Sequence, residues 1–176
     1  MATARSNIDT RLYAHSPMDG EAEQLVALGF RCALTCLRNL PDAADGTAAS
    51  RLSGLVTNGR LPQSSRSSFL AWGLSIECSA IRPVTILPVT APSFCRDERL
   101  SAALVAAVQH RHCPALIASI AALLGTSDVG RVLAATGEVA EMLRGSGKVL
   151  EARKDDVTQA LAHKAPFTDR SSRRLN

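Results

Sequence analysis

Phe69-Leu70-Ala71-Trp72-Gly73-Leu74-Ser75-Ile76-Glu77-Cys78-Ser79-Ala80 decides the fold, because it satisfies two periods at once. Leu70, Trp72, Leu74, Ile76 and Cys78 alternate with small or polar residues, as a half-buried strand does. Phe69, Leu70, Gly73, Leu74, Glu77 and Cys78 also line one side of a helix, and the serines at 64–68 supply caps. As a strand the segment makes a mixed fold; as a helix it makes the chain all-α. The rest of the chain argues for the helix.

Downstream, the helical pattern is clear. Asp97–Arg111 places Leu100, Ala103, Leu104, Ala107 and Val108 inward, with Asp97 and Glu98 as first-turn acids. Pro114 opens a helix through Leu116, Ile117, Ile120, Leu123 and Leu124, and Gly125 ends it. Ser127 or Asp128 caps a third, which reaches Arg144 and turns Val129, Val132, Leu133, Val139, Ala140 and Leu143 inward. Leu150 to about Leu161 is expected to form a last, charged helix.

Upstream, Ser16-Pro17-Met18-Asp19 is a helix start, and Pro41 is a stop. Between them Leu25, Leu28, Cys32 and Cys36 share an arc that Val26, Phe30, Ala33, Leu37 and Leu40 widen. Glu23, Gln24, Arg31 and Arg38 fall on the opposite, polar side. Ala48–Val56 reads as a short helix, Asn58-Gly59 as a turn and 62–68 as a loop. Prolines at 83, 88 and 92 make 82–92 an extended crossing segment, since each removes a backbone donor. The expectation is therefore an all-α, irregular bundle of five to six helices over 16–163, with flexible ends at 1–15 and 164–176.

Composition agrees with a packed helical core. The chain has 176 residues, is 46% hydrophobic and 20% charged, and holds only one Trp, one Tyr and four Phe. A disordered chain or a disulfide-dense scaffold is excluded. The formal charge is +4, and all of the excess lies in the last 33 residues, where eight basic face four acidic side chains. Arg170, Arg173 and Arg174 in that tail are the candidates for contact with nucleic-acid phosphate. Five cysteines, an odd number, and a polar first fifteen residues without a signal-peptide core lead to an expectation of free thiols in the cytoplasm. The longest nearly apolar run, Pro114 to Leu124, is too short to span a bilayer.

Three constellations hold the residue types of a site. Cys32 and Cys36, one helical turn apart, and His110 with Cys113 are candidate metal ligands, but neither pair completes a tetrahedral set. A helix over 97–111 keeps Cys95 away from His110. Cys95 precedes a helix start and Arg96, which favour a thiolate; Asp97 and Glu98 oppose one, and no histidine is placed beside it to accept a proton. Ile120–Ser127 looks like the first helix and turn of a DNA-reading motif. The second helix of such a motif needs apolar residues where this chain has Arg131 and Ala134. No phosphate-binding, zinc-protease or nucleophile-elbow motif occurs.

Gly20-Glu21-Ala22-Glu23-Gln24-Leu25-Val26-Ala27-Leu28-Gly29-Phe30-Arg31-Cys32 and Phe94-Cys95-Arg96-Asp97-Glu98-Arg99-Leu100, with Gln109 to Ala115, resemble uncharacterised small helical proteins of rhizobium-type alphaproteobacteria. The resemblance implies a bacterial accessory protein and brings no activity with it. Taken together, the expected function is that of a small non-catalytic interaction or regulatory protein, with a protein partner or self-association and no cofactor. The alternatives are a nucleic-acid-binding regulator using 114–144 and the tail, and a thiol enzyme or redox sensor using Cys95.

Overall fold

The computed structural model describes residues 20–38, 46–57, 61–125 and 129–151. It is all-α. Helices α1 (Glu21–Leu37), α2 (Thr47–Thr57), α3 (Ser65–Ser79), α4 (Arg96–Gln109), α5 (Cys113–Leu124) and α6 (Gly130–Gly145) follow in chain order. The segment is helical through Ser79, and the strand alternative falls.

Four of the helices close a ring. α1 packs on α3, α3 on α6, α6 on α4, and α4 back on α1. Aromatic residues fill the ring: Trp72 lies 5.2 Å from Phe30 and 6.1 Å from Phe69, between ring centroids. Trp72 Nε1 donates to Thr136 Oγ1 at 2.9 Å, so the indole's one donor is satisfied where α3 meets α6. α1 and α3 approach closely at Gly29, where an added Cβ would lie 2.6 Å from the Phe69 ring. The two remaining helices lie outside the ring, α2 chiefly on α1 and α5 chiefly on α4.

This arrangement corrects several helix faces. α1 has neighbours on three sides, so Arg31 and Glu23, assigned to a solvent face, are buried, while Leu37 is exposed. α3 buries Phe69, Trp72, Gly73 and Ile76, and turns Leu74, Glu77 and Cys78 outward. α5 buries Ala115, Ser119, Ile120, Leu123 and Leu124, but Ile117 faces solvent. α5 and α6 do not pack chiefly on each other: the main packing is on α4 for α5, and on α3 and α4 for α6. The outward exposure of Arg131 and Ala134 agrees with that placement.

Several boundaries shift. α1 begins after Gly20, whose backbone is extended (φ −87°, ψ 132°), and ends at Leu37, three residues short of Leu40. Gly125 closes α5 in the left-handed region at φ 73°, as its position predicts. Leu150 and Glu151 are not helical. The Ser16–Asp19 start, Pro41, the Asn58-Gly59 turn, Ser127, Asp128 and 152–176 lie outside the described residues.

Candidate functional site

Among the described residues, the largest group of interacting charges surrounds the crossing between α3 and α4. Its three prolines and its lack of regular structure leave the backbone of 80–95 to find partners elsewhere. The first turn of α4 supplies acceptors: Asp97 Oδ2 takes the Thr85 N–H at 2.8 Å, Glu98 Oε1 the Leu87 N–H at 3.0 Å, and Glu98 Oε2 the Cys95 N–H at 2.8 Å. Helix α1 supplies donors through Arg31. Arg31 Nη1 donates to the carbonyls of Pro88 (3.3 Å) and Ala91 (2.9 Å), and Nη2 to that of Ser93.

Arg31 and Glu98 also meet directly, Nε to Oε1 at 2.6 Å and Nη2 to Oε2 at 2.9 Å, with exposures of 1% and 0%. The Phe94 ring covers the guanidinium, 4.9 Å from Cζ to the centroid. Guanidinium has five N–H donors and carboxylate about four acceptor positions. Arg31 makes five hydrogen bonds and Glu98 accepts four. Both groups are saturated by the chain itself. Neither has capacity left to bind or polarise a substrate.

The same segment links the two outer helices. At one end Ile81 N–H donates to Leu124 O, and Arg82, paired with Asp97 at 2.7 Å, donates to Ala122 O at 2.9 Å. Further along, Arg51 of α2 donates to Val89 O at 3.1 Å.

Each candidate residue can now be placed. Cys95 is buried at the start of α4, and its Sγ donates to Thr85 O at 3.1 Å. Burial, and then the Glu98 charge, push its thiol up to about 12. Cys32 is buried beside Arg31 and is likewise pushed up to about 12, by burial and by its neighbour Cys36. Cys36 is half-buried and shifted upward by burial. His110 Nε2 lies 2.7 Å from Leu150 O. It joins Gln109, whose Oε1 accepts Leu150 N–H and whose Nε2 donates to Lys148 O, in tethering the chain after α6. Cys113 is exposed at the start of α5. Among the described residues no three His, Cys, Asp or Glu side chains are grouped so as to hold a metal ion. Arg170, Arg173 and Arg174 lie outside the described residues.

A feature that periodicity missed lies on the outer side of α5. From Cys113 to Leu124 the helix has no charged residue, and its one polar side chain besides cysteine, Ser119, is buried. Pro114, Ile117, Ala121 and Gly125 are exposed at spacings of three, four and four residues, which puts them on one face. Ile81 lies over Gly125 at the end of that face, its Cγ1 2.8 Å from where a Cβ would sit. Ile81 and Ile117, exposed by 76% and 67%, are the two most exposed of the large hydrophobic residues described. The signal was available: a helix apolar on every side has no polar face to orient it, and only one of its sides can be the inner one.

No helix among the described residues is long and apolar enough to cross a membrane. No protein-family model matches the chain, and no curated protein or solved structure is significantly similar to it.

Proposed function

We propose that this chain is a small non-catalytic interaction protein whose contact surface is the outer face of α5. One observation carries the reading: the interior polar groups are spent on the fold, while the stripe Pro114–Ile117–Ala121–Gly125, continued by Ile81, is apolar and exposed. Exposed apolar area grouped on one element marks a contact site more often than a solvent surface. A bacterial, cytoplasmic setting fits the free thiols and the resemblance noted above. A thiol chemistry draws no support from Cys95, which is buried and held protonated. A DNA-reading role draws none from α5 and α6, which pack chiefly on α4 and, for α6, on α3, rather than on each other as the crossed pair of such a motif does.

The test is site-specific photo-crosslinking in cells. A benzoylphenylalanine at position 117 is expected to give discrete higher-mass adducts, and one at Ser50, on the outer side of α2, to give none. Equal yields at the two positions, or none at 117, would end the proposal.

A further inference from the structure

We infer that Cys32 and Cys36, on one side of α1, form a two-coordinate site for a soft monovalent metal ion, Cu(I). The site is separate from the α5 face and stands or falls independently of it.

Spacing decides what the pair can do. The two residues are one helical turn apart, so their Cβ atoms lie about 5–6 Å from each other. A disulfide needs about 3.5–4.5 Å between Cβ atoms, so α1 would have to deform to form one, and both thiols are free. An ion bridging two sulfurs in line, with bonds of about 2.3 Å as between zinc and thiolate, needs roughly 4.6 Å between the sulfurs. Helical side chains lean toward the N-terminus, which tips the Cys36 thiol back over the turn that carries Cys32. The undeformed helix therefore suits a bridging ion and not a disulfide.

The ligand set selects the ion. Thiolates favour Cu(I), Zn(II) and iron–sulfur clusters. Structural Zn(II) and the clusters take four ligands. Among the described residues no third His, Cys, Asp or Glu joins this pair. Cu(I), with its filled d shell, accepts two sulfurs in a line.

Charge agrees. Binding displaces both thiol protons, so a monovalent ion leaves the site with one negative charge. Burial, joined at Cys32 by the neighbouring Cys36, raises both thiols and works against that charge. Guanidinium groups work for it: Arg31 and Arg51 at Cys32, and Arg66 at Cys36. Arg31 is already matched by Glu98, so the balance falls to Arg51 and Arg66. They belong to a stretch, Gly46 to Ile76, that contains no Asp or Glu. It supplies α2 and most of α3, both packed beside α1. Cys32 is fully buried, whereas Cys36 is half-buried one residue from the end of α1, so the ion enters past Cys36.

Titration of the reduced full chain, without oxygen, against a colorimetric Cu(I) chelator tests the site. It is run on wild type and in a Cys78→Ser/Cys113→Ser background, which removes the exposed thiols. One Cu(I) per chain is expected in that background, with two sulfur neighbours and no others in X-ray absorption. Cys36→Ser is expected to weaken binding by more than about 100-fold with an unchanged circular dichroism spectrum. Arg66→Glu is expected to weaken it by about 10-fold, as loss of a group behind the ligands does. The absorption spectrum needs neither variant, so the inference stays testable if Cys36→Ser misfolds. Three results overturn it: no Cu(I) retained once the exposed thiols are gone, a Cys36→Ser chain that binds like its parent, or a first shell holding nitrogen, oxygen or a third sulfur.

Discussion

Helices α2 and α5 both lie outside the four-helix ring, both are short and rich in small residues, and the crossing segment touches both. α2 buries Ala48, Leu52 and Leu55 and turns Ser50, Arg51 and Thr57 to water. α5 buries Ala115, Ile120, Leu123 and Leu124 and turns Pro114, Ile117 and Ala121 to water. One outer helix is amphipathic, as a solvent-facing element should be; the other is apolar on both sides. Burial alone therefore does not account for α5. Its inner face explains its place in the fold, and its outer face needs a second explanation.

The largest expected effect breaks the comparison by loosening what the two helices share. Glu98→Ala leaves the Arg31 guanidinium buried without its carboxylate and frees the N–H groups of Leu87 and Cys95. Removing one partner of a buried pair costs about 3–5 kcal/mol. Urea unfolding is expected to show that loss, and hydrogen exchange to rise in α2 and α5 together. Replacing both partners, as Arg31→Met with Glu98→Leu, should cost less than Glu98→Ala alone, because no uncompensated charge remains. Equal stability of wild type and Glu98→Ala would show the pair to be idle.

The next effect separates the two faces of α5. Leu123 is fully buried between α5 and the ring, so Leu123→Ala should cost about 2–5 kcal/mol through lost burial and the cavity left behind. Measured by urea unfolding of dilute protein, that cost identifies the inner face. A loss below about 0.5 kcal/mol, in the range of surface substitutions, would mean that α5 is not seated on α4 as described.

Interior and surface thiols differ in a third way. Cys95 has its proton held up to about 12 against an ordinary value of 9.0. A raised value means that the folded chain keeps a proton which the unfolded chain releases. The associated stability is complete below about pH 9 and declines as pH rises toward 12, by at most about 1.4 kcal/mol per pH unit. Wild type is expected to lose its advantage over Cys95→Ser steadily from pH 9 to 10.5 in urea unfolding. Parallel stability curves would contradict the burial of this thiol. Exposed Cys113 and Cys78 should react with a thiol reagent in the native state at pH 7, and Cys95 only on unfolding.

Much of the fold was legible in the sequence, and the reasons are local. Pro83, Pro88 and Pro92 each remove a donor, Gly125 accepts a positive φ, and Asp97 and Glu98 suit a first turn whatever surrounds them. What periodicity missed depends on distant partners. Arg31 looked like a solvent residue because the carboxylate that allows its burial lies 67 positions away. In α3 the helical period was readable, but the buried face followed Ile76 and Trp72, which meets Phe30 of α1 and Thr136 of α6, rather than Leu74 and Cys78. On α5 an apolar residue occurs at almost every position, so the pattern has no direction. Ile117 and Leu123 were indistinguishable until α4 was in place.

The smallest expected effect is also the most discriminating. Ile117→Ser replaces a side chain that lies two-thirds in water, so in a dilute monomer its removal costs little burial and opens no cavity. Thermal unfolding at low concentration should move by no more than about 0.5 kcal/mol, as for other surface changes. The same substitution should weaken capture by the face it sits on: with benzoylphenylalanine at exposed Ala121, Ile117→Ser is expected to lower the yield of cross-linked adducts in cells, and Ser50→Ala on α2 to leave it unchanged. An unchanged yield in Ile117→Ser would place Ile117 with ordinary exposed aliphatics, and α5 with α2.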